Sequence, residues 1–186
     1  MKRSTVNPAI APTFDEVVLP HLDAAYRLAR WLVGNEHDAE DVVQEASLRA
    51  FRYFRTFSGG NGRAWFLSIV RNTCYGWRSH RHQQLADVFD EERHSATQVA
   101  MTPEALLLHA ADAVLVEQTL RDLPDRFREF LVLRELEELS YQELAEVLGI
   151  PIGTVMSGLS RARQAFRRAL EARLKRADSK ADEVVV

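Results

Sequence analysis

The stretch from Leu139 to Phe166 constrains the fold most, because two helical patterns flank a short segment that one continuous helix cannot cross. Ser140 and Glu143 have the spacing of a capping box, which predicts the start of the first helix. Gly149 permits a chain reversal, and Pro151 excludes an unbroken helix through the turn. The stretch therefore predicts a helix-turn-helix.

The second helix of this pair has two different faces. Small polar side chains let a helix approach a major groove closely, while arginines read guanine edges or bind phosphate. The alternative is an ordinary helical hairpin with a solvated basic face. At about 100° per residue, the apolar face comprises Val155, Leu159, Ala162 and Phe166, and the opposite face comprises Thr154, Ser157, Arg161, Gln164 and Arg168.

Charge is distributed unevenly along the 186 residues, whose net charge is only −3. Residues 157–177 include seven basic side chains and one acidic side chain, whereas residues 36–45 include five acidic side chains and no Lys or Arg. Such a chain could bind two unlike partners, or both segments could be solvated helix faces.

Other classes of protein are disfavoured by composition. The single cysteine, Cys74, excludes an internal disulfide and a cysteine-based zinc site. The histidines and carboxylates form no metal-ligand or triad pattern, so we expect no metal, no cofactor and no enzymatic activity. No apolar run approaches the length of a membrane span, and no signal-peptide pattern is present, so we expect a cytoplasmic protein.

The chain as a whole predicts an all-α protein with two small helical domains. Helical periodicity extends over residues 14–82 and again over residues 104–176. Residues 83–103 lose this periodicity and predict a flexible linker, because so long a loop is improbable within one compact domain. Residues 1–13 and 177–186 are predicted to be a mobile tail and a frayed tail.

One helix near the start of the first domain is acidic on its outward side. It is predicted to begin near Asp38, and acidic residues in its first turn favour the helix dipole. Asp38, Asp41, Glu45 and Leu48 share that side, with Gln44 beside them. An exposed leucine among acids indicates a contact surface, although isolated exposed apolar residues are normal.

The helix predicted over residues 63–82 combines basic, amide and aromatic side chains. Such a combination can hold single-stranded nucleic acid through backbone charge and base stacking. The alternative is that Trp65 and Trp77 are core residues and the arginines are solvated. The loop before this helix, Phe57–Gly62, has three glycines and is interpreted as a connector rather than a phosphate-binding turn. The basic, amide and aromatic side of the predicted helix carries Ser68, Arg71, Asn72, Tyr75 and Arg78.

Two groups of segments together resemble conserved regions of bacterial sigma factors. With only these two regions, the chain is similar to an extracytoplasmic-function (ECF) sigma factor over residues 14–82 and 104–174. The second region is matched by DAEDVVQE at 38–45 and RAWFLSIVRN at 63–72, and the fourth by LSYQELA at 139–145, GIPIGTV at 149–155 and SRAR at 160–163.

The resemblance implies a protein that binds core RNA polymerase and promoter DNA, helps to open the duplex, and is inhibited by an anti-sigma protein. Docking on polymerase would use Asp38, Asp41, Gln44 and Glu45. The unpaired minus-ten strand would be bound by Arg71, Asn72, Tyr75 and Arg78, with the loop Phe57–Gly62. The minus-thirty-five duplex would be bound by Thr154, Ser157, Ser160, Arg161 and Arg163.

The sequence departs from the family at Gly158, where many relatives carry a basic residue. This glycine is expected to weaken the helix by about 1 kcal/mol relative to alanine. It would also remove a DNA contact, so Gly158→Arg is expected to tighten binding to a minus-thirty-five duplex.

Two other functions remain as alternatives. The first is a regulator that uses the helix-turn-helix without polymerase, but it has no evident need for the acidic helix. The second is a sigma mimic that sequesters an anti-sigma protein. A mimic is expected to lose DNA-facing basic residues, yet this chain retains Arg161, Arg163, Arg167 and Arg168.

Overall fold

Every regular element in the computed structural model, which describes residues 12–85 and 103–183, is a helix or a helical turn. Side chains are described for residues 12–81 and 112–176. The first half contains α1 (Phe14–Val18), α2 (Leu22–Val33), α3 (Glu36–Tyr53) and α4 (Gly62–Leu85), with 3₁₀ turns at Leu19–His21 and Phe54–Thr56. The second half contains α5 (Pro103–Asp122), α6 (Asp125–Leu131), a π-helical turn (Val132–Leu136), α7 (Tyr141–Leu148) and α8 (Ile152–Glu183). The predicted all-α class with two helical domains is confirmed.

The first half is a bundle in which α2, α3 and α4 surround one apolar core. Gly34 ends α2 with a left-handed φ of 93°, and the Asn35 side chain caps α3 by accepting a hydrogen bond from the Asp38 amide. Alanines on the inner side of α3 let it pack closely against α2 and α4, where larger side chains fill the space. The fully buried residues are Ala25, Leu28 and Ala29 of α2, Ala39, Val42, Ala46 and Ala50 of α3, and Phe66, Leu67 and Val70 of α4.

The second half contains the predicted helix-turn-helix, which is confirmed. The Ser140 hydroxyl accepts from the Glu143 amide at 3.2 Å, and the Glu143 carboxylate accepts from the Ser140 amide at 2.7 Å. Gly149 ends α7 with φ of 65°, a conformation that most side chains disfavour. The inner residues of α8, namely Val155, Leu159 and Ala162, are buried against α6 and α7.

Some predicted boundaries differ from the structure. Helix α4 continues to Leu85 and α5 begins at Pro103, so both ends of the predicted linker are helical, and residues 86–102 lie outside the described residues. The predicted frayed tail is helical as far as Glu183, where α8 ends. No helix of the described segments is both long and apolar enough to cross a membrane.

The two halves lie against each other. Helix α4 packs on α7, while α2 contacts α6 and the π-helical turn. Ion pairs cross this boundary at several places, and two of the carboxylates involved are buried. The sequence predicted two separate bodies, because no local pattern records a contact between residues so far apart in the chain.

Candidate polymerase and nucleic-acid interfaces

The outward side of α3 presents an acidic face, which comprises Asp41, Gln44, Glu45 and Leu48. Asp41 is partly exposed, with its carboxylate 3.8 Å from Nε2 of His37. Glu45 accepts from Nε of Arg49 at 2.7 Å, within the same helix. Leu48, at the C-terminal end of this surface, is 50% exposed. The face is therefore accessible, carries negative charge and includes an exposed apolar side chain, as a docking surface for a basic partner would.

Asp38 does not belong to the acidic face, which corrects the prediction from sequence. It is only 7% exposed, forms an ion pair with Arg81 of α4, and accepts from Nδ2 of Asn35 at 2.7 Å. At about 100° per residue, Asp38 lies only about 40° around the helix from the buried Val42. It therefore joins the start of α3 to α4, and its role is structural.

We expect Asp38→Ala to lower the free energy of unfolding by about 1 to 2 kcal/mol, because Arg81 and Asn35 lose a shared partner. Urea denaturation followed by circular dichroism measures this change. The matched control is Asp41→Ala, which removes a partly exposed carboxylate on the same helix and should change stability by less than about 0.5 kcal/mol. Equal losses in the two variants would contradict the structural assignment of Asp38.

The predicted minus-ten residues of α4 are close together, and we call Arg71, Asn72, Tyr75 and Arg78 the minus-ten surface. The Arg71 guanidinium lies 4.9 Å from the centroid of the Tyr75 ring, so a cation and an aromatic face are adjacent. Burial, together with the negative charge of Glu129, raises the pKa of Tyr75 to about 12, so its hydroxyl remains a hydrogen-bond donor. Asn72 is exposed beside them.

Three of these side chains contact the second half. Nε of Arg71 donates to Oε1 of Glu129 at 2.5 Å, and the Tyr75 hydroxyl donates to Oε2 of the same carboxylate at 3.2 Å. Arg78 pairs with Asp125 at 2.6 Å. In this conformation the minus-ten surface is therefore largely occupied by α6.

The predicted connector Phe57–Gly62 forms one wall of an open pocket of about 280 Å³. Gly59 and Gly60 adopt φ of 87° and 101°, which glycine accommodates without strain. Aromatic, hydroxyl and amide groups line the pocket, a combination that suits an unpaired base. The lining comprises Thr56, Phe57, Ser58, Gly59, Asn61, Ala64, Trp65, Ser68 and Glu146 of α7.

The tryptophans of α4 are packing residues, as the second interpretation of this helix predicted. Trp65 and Trp77 are partly buried and pack against the core of the first half. Trp65 also contacts the ring of Phe57, with ring centroids 5.1 Å apart. The aromatic character of the pocket wall therefore comes from residues that also stabilise the bundle.

The first turns of α8 present a recognition side, which comprises Ser157, Ser160 and Arg161. All three side chains are exposed, and Nε of Arg161 donates to the Ser157 carbonyl oxygen at 3.2 Å. Thr154 is half-buried at the start of the helix. The ridge predicted to meet DNA is therefore accessible to solvent and not covered by the protein's own core.

Arg163 lies about 60° around the helix from Ser160 but about 160° from Arg161, and its guanidinium donates to Glu135 at 2.7 and 3.0 Å. Because the two arginines are only two residues apart, they point in nearly opposite directions. The prediction that both would contact the same DNA surface is therefore not supported.

Gly158 faces the protein and not solvent, so the expectation that a side chain here would contact DNA is wrong. An added Cβ would lie 2.4 Å from Cζ of Phe130, whose ring is buried in α6. Gly158 lies only about 40° around the helix from the buried Ala162, next to the apolar face. Glycine allows α8 and α6 to approach each other here.

Two buried carboxylates, Glu129 and Glu137, bind arginines of the first half and were not predicted from the sequence. A signal was present for Glu129, which lies among Phe127, Phe130 and Leu131, but not for Glu137, which lies between Glu135 and Glu138. An acid within an apolar stripe requires a partner. Their partners, however, lie far away in the sequence.

Comparisons with known proteins agree with this arrangement. Models of sigma-70 region 2 and sigma-70 region 4 match residues 17–84 and 113–166. The ECF RNA polymerase sigma factor SigE of Mycolicibacterium smegmatis is 34% identical over 164 residues, which cover 88% of this chain and 64% of the relative, so this chain spans just under two thirds of it. The RNA polymerase sigma-H factor of Pseudomonas aeruginosa is 33% identical over 173 residues, covering 88% of this chain and 89% of the relative.

Solved structures give the same result. The sigma factor RpoE in complex with the anti-sigma factor NepR from Bartonella quintana superposes with a TM-score of 0.69 at 27% identity, covering 85% of this chain and 96% of that one. CnrH in complex with the cytosolic domain of CnrY gives a TM-score of 0.60 at 27% identity, covering 86% and 88%. The chain therefore belongs to the ECF family of RNA polymerase sigma factors.

Proposed function

We propose that this sigma factor divides promoter recognition between its halves, with α3 and α4 acting on polymerase and the minus-ten strand and α8 acting on the minus-thirty-five duplex. The observation that carries this proposal is the exposure of the recognition side of α8, while the opposite side of the helix is buried. Core RNA polymerase and promoter DNA are the partners, and the cytoplasm is where the chain meets them.

The acidic face of α3 is proposed to dock on a basic surface of core polymerase. Its carboxylates would orient the complex and accelerate association, while Leu48 would be buried on binding. A regulator that acts without polymerase has no need for this face. Its accessibility therefore favours the sigma function over that alternative.

The minus-ten surface and the pocket beside the loop Phe57–Gly62 are proposed to hold the unpaired strand. Arg71 and Arg78 would bind phosphates, Tyr75 would stack on a base, and the pocket would take a flipped base. This division follows the chemistry of each group, since a guanidinium binds phosphate oxygens and a ring stacks on bases.

An anti-sigma protein is proposed as a further partner. RpoE, which this chain resembles at 27% identity, was solved with an anti-sigma factor bound. The exposed recognition side of α8 argues against a mimic that only sequesters the inhibitor, because such a mimic has no use for it.

Run-off transcription with core RNA polymerase tests the proposal directly. Core polymerase plus the purified chain should yield specific transcripts from fragments of the source genome, and core polymerase alone should not. Mapping the transcript starts then defines the promoter elements. Stable co-purification with polymerase without any specific transcript would contradict promoter recognition, and duplex binding without polymerase binding would support the regulator instead.

Arg161→Ala should weaken binding to the mapped minus-thirty-five duplex by about 10- to 100-fold, because one base or phosphate contact is worth roughly 1 to 3 kcal/mol. Fluorescence anisotropy at fixed salt concentration measures the affinity. Arg163→Ala is the matched control, since the same residue type two positions away pairs with Glu135 on another side of the helix. A larger loss from Arg163→Ala than from Arg161→Ala would overturn the assignment of the recognition side.

A further inference from the structure

Two carboxylates of the second half are buried at the boundary between the halves. Glu129 and Glu137 are 2% and 1% exposed. Glu129 binds Arg71 and the Tyr75 hydroxyl, as described above. Glu137 accepts from Nε and Nη2 of Arg27 at 2.7 and 2.8 Å, and Nη2 of Arg63 lies 3.5 Å from the same carboxylate. Every one of these partners belongs to the first half.

While they are buried, Glu129 and Glu137 depend on the arginines of the other half. A charged carboxylate removed from water without a partner is destabilised by several kcal/mol, so each needs the arginine that the other half supplies. Arg63 also donates to the Glu137 carbonyl oxygen at 2.6 Å, and Asn61 donates to Glu143 at 2.7 Å. These contacts extend the same boundary towards the loop before α4.

The boundary coincides with the proposed minus-ten surface. Arg71, Tyr75 and Arg78 are bound by carboxylates of α6, whose oxygens take the positions that phosphate oxygens of a strand would need. Glu146 of α7 lines the proposed base pocket and would repel a phosphate there. A strand therefore cannot reach this surface while the halves are in contact.

Promoter geometry requires the halves to separate. The minus-ten and minus-thirty-five elements are roughly 25 base pairs apart, which is about 85 Å along the duplex at about 3.4 Å per base pair. In the closed chain, Nε of Arg71 on the minus-ten surface lies 2.5 Å from Oε1 of Glu129, in the half that carries α8. One chain in this conformation cannot contact both elements.

We propose that Glu129 and Glu137 form an intramolecular latch that closes the sigma factor over its own minus-ten surface until core polymerase separates the halves. The latch rests on the proposed function, because that function assigns the minus-ten surface. Both carboxylates and their arginines regain water when the halves separate, so the net stability of such pairs is small compared with their Coulomb attraction. Polymerase binding can therefore open the latch.

Energy transfer between two dyes measures closure in the intact chain. Glu40→Cys on α3 and Ala172→Cys on α8 place the dyes at exposed positions in different halves. The native Cys74 can remain, because it is buried, and burial raises the pKa of its thiol to about 12, which suppresses reaction with maleimides. The free protein should show one high-transfer population, and core polymerase should convert it to low transfer.

Two variants break the latch from opposite sides. Arg27→Gln and Glu137→Gln should each raise the open-to-closed ratio of the free protein at least about tenfold, and the double variant should open little further than either. Glu135→Gln is the matched control, since Glu135 lies only two residues before Glu137 but pairs with Arg163 of its own half. Circular dichroism verifies that each variant retains its helices.

The outcomes separate the latch from the proposed function. Low transfer in the free wild-type protein, or closed Arg27→Gln and Glu137→Gln variants, would overturn the latch even if run-off transcription succeeds. High transfer that these variants abolish and Glu135→Gln preserves would support it. High transfer that persists when all of the labelled protein is bound to core polymerase would also overturn it, because the latch must open in that complex. A run-off assay without specific transcripts would instead contradict the proposed function, whatever the transfer in the free protein.

Discussion

Replacing Gly158 with arginine is expected to destabilise the second half by about 3 kcal/mol or more and to weaken binding to a minus-thirty-five duplex. The first atom of any side chain would lie 2.4, 2.7 and 2.9 Å from three carbons of the Phe130 ring. That ring is only 1% exposed, so the surrounding core restricts its movement. Overpacking of this kind typically costs roughly 1 to 3 kcal/mol for small additions, and arginine also brings a charge against an apolar ring.

Thermal and urea unfolding measure the loss of stability, and duplex anisotropy measures the loss of binding. Gly153→Ala is the matched control in the same helix, because its Cβ would meet no heavy atom within 4 Å. That control should be neutral or stabilising by up to about 1 kcal/mol.

A second substitution locates the cause. Replacing the ring with the smaller side chain of leucine (Phe130→Leu) should reduce the loss of stability caused by Gly158→Ala, because the clashing carbons are removed. Tighter duplex binding by a fully stable Gly158→Arg protein would show that residue 158 faces DNA after all.

Reversing the charge at Asp41 is expected to abolish polymerase-dependent transcription. Asp41 is partly exposed on the acidic face, where an arginine would oppose a basic partner. Like charges brought together at an interface cost several kcal/mol, which corresponds to a loss of more than about 100-fold in affinity. Run-off transcription and co-purification with core polymerase measure the effect.

Duplex binding provides the internal comparison for Asp41→Arg. The recognition side of α8 lies in the other half, so anisotropy with a minus-thirty-five duplex should match that of the wild-type protein. Glu40→Arg reverses an exposed charge on the same helix, about 100° around from Asp41, and should retain most of the activity. Normal run-off transcription by Asp41→Arg would remove the acidic face from the docking assignment.

Local interactions explain why the helices and the turn could be predicted. A capping box joins residues three apart, and Gly149 requires only its own φ, so both are visible in a short stretch. The inner face of α8 follows from helical periodicity alone. Predictions failed where a residue lies between two faces, since Asp38 and Gly158 are each within about 40° of a buried neighbour.

The all-α class, the helix-turn-helix and the acidic side of α3 could be predicted from the sequence, because spacing within a few residues encodes each of them, and the motifs that resemble sigma regions indicated the family. The internal positions of Asp38 and Gly158 and the contact between the halves became visible only in the folded chain. Arg71 and Glu129 are 58 positions apart, and Arg27 and Glu137 are 110 apart. Pairs this distant leave no periodic trace, because their contact depends on how complete helices pack.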